Sequence, residues 1–131
     1  MESVQRWQQR AADAEQATPD WQRDLSVSFN KLGNLATAQG NLSEAQRLFG
    51  EQRRIAQRLA ESDPANAAWQ RDLSVSHDKL AMFAQQGGDD AGCETELREC
   101  FRVLNHMKQR NLHFDPQMAQ VFQQLAGMFG G

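Results

Sequence analysis

The residues of this chain with the reactivity to hold a metal ion or launch a nucleophilic attack are His77, His106, His113, Cys93 and Cys100. Zinc sites show close pairs of like ligands, two cysteines with about two to four residues between them or two histidines with about three to five, so that neighbouring donors converge on one tetrahedral ion. No two of these five residues form such a pair. A helix rises about 10.5 Å over the seven steps from Cys93 to Cys100. That exceeds the roughly 7 Å a disulfide spans between Cα atoms, so both read as reduced core cysteines in a reducing compartment. There is no G-x-S-x-G, no phosphate-binding glycine loop and no Cys–His pair placed for nucleophilic work. The expectation is a chain that is not an enzyme, with no metal and no cofactor. Asp89, Asp90, Glu94, Glu96 and Glu99 cluster near one predicted helix start. They read first as dipole complements on a solvated face, and secondly as a docking patch for a basic partner. Arg47, Arg53, Arg54 and Arg58 form the opposite cluster and could pair with it between copies of the chain.

The elements that would position such residues follow from a repeat. The string WQRDLSVS occurs at Trp21 to Ser28 and again at Trp69 to Ser76, a separation of 48 residues within 131. A fixed period of this size signals a repeat architecture in which units stack. Leu, Ala, Gln, Arg and Glu dominate the composition, all good helix formers. The expected fold class is therefore all-α, a single domain over 1–131. Net charge is −3 with both signs interspersed, which supplies neither the basic stripe nucleic acid demands nor a polybasic membrane segment. No apolar run is long enough for a signal peptide or a membrane span, and the default location is the cytoplasm.

The periodicity predicts six helices. The first covers about Ser3 to Gln16, the trailing helix of a partial repeat over 3–17. Thr18-Pro19 opens a second, with Leu25, Phe29, Leu32 and Ala36 as its apolar stripe, ended by Gly40-Asn41. A third runs from Leu42 or Ser43 to about Glu61, completing a repeat over 18–65. A fourth, from Ala67, repeats the second with Leu73, His77, Leu80 and Ala84. A fifth runs from about Ala91 to Arg110 and closes the 66–113 repeat. Asp115-Pro116 starts a terminal capping helix within 114–131, out of phase with the others by about three residues. His77 stands where the first copy has Phe29 and reads as a satisfied, partly buried histidine. Trp21 and Trp69 read as structural joints, with Arg23 and Arg71 bridging to a neighbouring repeat.

The stretch Phe29 to Phe49 resembles a tetratricopeptide repeat (TPR). The matching residues are Phe29, Leu32-Gly33, Ala36, Gly40-Asn41, Glu44-Ala45 and Phe49. His77, Leu80-Ala81, Gly88-Asp89, Cys93 and Leu97 hold the same places in the weaker second copy. The usual unit of that family is 34 residues. A 48-residue unit is similar to the elongated repeats found in arrays in large bacterial proteins. The resemblance implies a TPR-like α-solenoid of about six antiparallel helices in three stacked hairpins. Gly33 and Ala45 would let paired helices approach closely.

It also implies a concave groove for a protein or peptide partner. That face would carry Val27, Asn30, Asn34 and Thr37, then Val75, Asp78, Met82 and Gln85, then Gln120 and Gln123 or Gln124. Asn30 and Asn34 suit a clamp for a C-terminal carboxylate, whereas Asp78 and Met82 depart from it and the flanking basic residues are missing. The expected function is a protein-interaction scaffold. The alternatives are self-assembly into a homo-oligomer through open solenoid ends, exposing Val4, Trp7, Met118, Phe122, Met128 and Phe129, or a sensor of a peptide or small ligand.

Overall fold

The computed structural model describes residues 18–130, and the statements below concern these. Among them the chain forms five α-helices and no strand. These are α1 (Pro19–Ala38), α2 (Leu42–Ser62), α3 (Ala67–Gln86), α4 (Asp90–Gln109) and α5 (Pro116–Phe129). Five helices stand where six were expected; the expected first helix, with Val4 and Trp7, lies outside the described residues. None of the five is long and apolar enough to cross a membrane.

The helix starts show the repeat in hydrogen bonds. Thr18 Oγ1, Asn66 Oδ1 and Asp115 Oδ1 each accept from the backbone N–H three residues on, that of Trp21, Trp69 and Met118, at 3.3, 3.0 and 2.8 Å. Each bond satisfies a donor that the first turn leaves orphaned. Pro19 and Pro116 occupy first-turn positions, where a missing N–H costs nothing. The cap spacing is 48 and then 49 residues, so at this joint the terminal unit slips by one residue rather than three.

The helix ends repeat as well. Gly40 and Gly88 both take φ +78°, a left-handed conformation that a Cβ disfavours. Asn41 N–H then donates to Ala36 O at 2.9 Å, and Asp89 N–H to Ala84 O at 2.8 Å, closing the previous helix. The same two residues open the next one, accepting side-chain bonds from Glu44 N–H and Gly92 N–H. One polar residue thus ends one helix and caps the following one, which holds each turn short. Asn111, at φ 56°, ends α4 in the same manner.

The chain divides into two compact units, Met1–Leu59 and Ala60–Gly131. In the first, Leu25, Phe29 and Ala36 of α1 are buried, as are Ala45, Leu48, Phe49 and Ile55 of α2. Gly33 lets α1 and α2 meet: an ideal Cβ there would lie 2.6 Å from Phe49 Cε1. In the second, Leu73 and Ala81 of α3 are buried, and Cys100, Leu104, Met107, Met118 and Leu125 form a core between α4 and α5. Burial of these stripes, not helix propensity, supplies most of the stability of such hairpins.

Three expectations need correcting. Leu32 and Leu80 are half-buried instead of core residues, because the helix–helix seam runs through Gly33 and Ala81. Met118, expected on an open end, is 5 % exposed, because its side chain packs with Cys100, Leu104, Met107 and Leu125. Trp21 and Trp69 share a capping geometry but not a setting: Trp21 is 41 % exposed, while Trp69 is half-buried.

Candidate functional site

A hollow of about 330 Å³ lies among α3, α4 and α5 in the second unit. Its α3 wall comprises Arg71, Ser74, Val75, Asp78, Lys79 and Met82; Arg71, Val75, Asp78 and Met82 follow at helical spacings of four, three and four that align them along one face. Cys100 and Leu104 of α4 form the floor, and Gln117, Met118 and Val121 of α5 the far side. Three of the predicted groove residues, Val75, Asp78 and Met82, thus converge here. Met82 is 52 % exposed at the rim.

Electrostatics single out Asp78. Burial raises its carboxyl pKa above the usual aspartate range, opposed only by the charge of Lys79. Among the described residues its carboxylate accepts no hydrogen bond and closes no ion pair. Arg71, by contrast, is committed: its Nε donates to Asp115 Oδ2 at 2.9 Å. Asp115 is held below the usual range by the Met118 backbone N–H and by Arg71. This pair ties α3 to the start of α5, as the expected bridging role of Arg71 required. The Cys100 thiol is pushed up to about 12 by burial and by the charge of Asp78. It is therefore no nucleophile at neutral pH.

The other predicted residues fall elsewhere. Gln85 lines a separate hollow of about 490 Å³, together with Cys93, Leu97, Arg98, Met128 and Phe129. Gln120, Gln123 and Gln124 are not among the residues lining the α3–α5 hollow. Gln117 and Val121, which flank the buried Met118 and Leu125, take that side instead. In the first unit Val27 is 37 % exposed and Asn34 is exposed. Thr37 spends its hydroxyl on Gly33 O at 2.8 Å. Asn30 is half-buried, with Oδ1 shielded and unpartnered. Of the predicted end-stacking residues, Met128 is 61 % exposed. Phe122 and Phe129 are half-buried on α4, around Phe101 at 5.6 and 6.3 Å. Lys108 and Arg98 lie over their rings at 4.7 and 4.5 Å.

The charge clusters resolve into local pairs. Asp89 caps α4, Glu94 pairs with Arg98, Glu99 with Arg102, and Glu96 meets His77 Nδ1 at 2.7 Å. On α2, Arg47 pairs with Glu44 and Arg54 with Glu51, and Arg53 donates to Gln57. The His77–Glu96 contact was missed by reading single positions. It is visible at the 48-residue shift, where His77 and Glu96 replace Phe29 and Leu48 together. Cys93 and Cys100 are free thiols, half-buried and buried. No group of three or more His, Cys, Asp or Glu among the described residues could hold a metal ion.

Comparison with protein-family models, with curated proteins and with solved structures gave no match.

Proposed function

We propose that this chain is a non-enzymatic TPR-like interaction module whose α3–α5 hollow receives an extended segment of a partner protein. The observation that carries this reading is the convergence of Val75, Asp78 and Met82 on one hollow lined by both apolar and polar side chains. Small apolar contacts with a few fixed polar groups suit peptide capture. The solenoid part of the reading draws support from joints repeating at 48 residues: equal N-caps, equal left-handed glycines and the seam at Gly33 and Ala81. To test it, peptides are selected on the chain from a random display library and their affinity is compared for Val75→Ala and Met82→Ala. Both variants should keep the helical signal and bind at least about tenfold more weakly, each having lost buried apolar contact. Selected peptides that bind both variants undiminished would refute the site.

A second reading, self-association through the end of α5, is favoured by the exposure of Met128. Light scattering over a wide concentration range, with Met128→Lys as the control, tests it; a strict monomer would dismiss it.

A further inference from the structure

We propose that the α3–α5 hollow selects a lysine side chain of the docked segment, its ammonium meeting the Asp78 carboxylate and its alkyl stem lying along Val75, Met82 and Val121. This rests on the peptide-docking reading above and adds the chemistry of the anchor.

The argument starts from Asp78. A carboxylate withdrawn from water loses hydration energy that a hydrogen bond or an opposite charge must return. Here only the charge of Lys79 returns part of it, and no described residue is hydrogen-bonded to the Asp78 carboxylate. The cations in the hollow fill that role only in part. Arg71 is held by Asp115 at 2.9 Å. Lys79 also lines the hollow and attracts Asp78, but it is the next residue on α3, and adjacent helical side chains do not face each other, so it closes no ion pair with the carboxylate. The raised pKa of Asp78 reports the same shortfall.

The remaining walls describe the stem of the ligand. Val75, Met82, Leu104, Met118 and Val121 give an apolar surface beside the carboxylate. A lysine combines four methylenes that lie against such a surface with a compact charge that one carboxylate can meet. A guanidinium is planar and carries five N–H donors in a fixed fork, whereas Asp78 is the one acidic side chain lining the hollow. Methionine at the rim adapts its shape to a passing chain.

The test uses the whole ¹⁵N-labelled chain and two probes, Nα-acetyl-lysine methylamide and its norleucine counterpart, which keeps the stem and lacks the ammonium. The lysine probe should give saturable amide shifts centred on Val75, Asp78, Met82 and Val121, and the norleucine probe none. Asp78→Asn keeps the side-chain shape and should weaken the lysine probe by at least about tenfold. Added salt should weaken it in the parent and not in the variant. Equal shifts from both probes, shifts retained in Asp78→Asn, or no saturable shift at all would overturn the proposal. Selected peptides that need Val75 and Met82 but tolerate Asp78→Asn would overturn lysine selection while leaving peptide docking intact. Binding of the lysine probe with no peptide ever captured would do the reverse.

Discussion

Gly33→Ala is the sharpest probe of how the first hairpin closes. A Cβ at this position would lie 2.6, 2.8 and 2.9 Å from three atoms of the Phe49 ring. Carbon atoms in good contact sit about 3.5–4.0 Å apart, so the ring must retreat by about 1 Å. Phe49 is 4 % exposed and has little room to do so. Overpacking of this kind costs about 1–3 kcal/mol, and the better helix propensity of alanine returns about 1 kcal/mol. The expected net loss is therefore about 1 kcal/mol, at most about 2. Phe49→Leu removes the obstacle. In that background the same Gly33→Ala change should be neutral or stabilising, for a coupling of about 1–3 kcal/mol. The second copy already carries this solution, with Ala81 and Leu97 at the equivalent positions. Urea denaturation of the parent, both single variants and the double variant, followed by helical circular dichroism, measures the cycle. If Gly33→Ala shifts stability equally with phenylalanine and with leucine at position 49, the two residues do not meet and the seam is misplaced.

Four further outcomes are expected. Replacing the buried polar pair by the apolar pair of the first copy, His77→Phe with Glu96→Leu, should raise the denaturation midpoint. Glu96→Leu alone should cost about 1–3 kcal/mol by leaving a buried imidazole without its partner. Asp78→Asn should stabilise the fold at neutral pH. Because the folded-state pKa is raised, the unfolded chain releases this proton first, and stability falls as pH climbs from the ordinary aspartate value through the raised one. The gain in the variant should therefore vanish on acidification below the ordinary value, as pH-dependent melting will show. A thiol reagent should modify Cys93 in the native state and spare Cys100, which is 1 % exposed with its thiol pushed up to about 12; mass mapping that finds both labelled equally would refute this.

Helix class and helix limits were legible because capping residues and left-handed glycines act locally: Thr18, Gly40, Asn66, Gly88 and Asp115 do what their side chains dictate. The α3 wall was legible because Val75, Asp78 and Met82 lie on one helical face whatever packs against it. What escaped depends on the rotation of one helix against another. The choice of Gln117 and Val121 over Gln120 and Gln124 is set by how Met118 and Leu125 sink into α4, which no periodicity within α5 reveals. Leu32 was misplaced for a related reason. A stripe of large residues points to a core, yet the closest approach of two helices is made by the smallest residue beside it. The acidic cluster drew attention by density, whereas its partners Arg98 and Arg102 stand one turn away and His77 lies on the facing helix.

The central claim is that the α3–α5 hollow holds a partner segment. A photo-reactive diazirine amino acid placed at position 82, and in a separate protein at position 128, tests it with the peptides selected on the chain. Cross-linking from Met82→diazirine, with none from Met128→diazirine, is the predicted result. Peptides captured by both proteins that cross-link only from position 128 would contradict it.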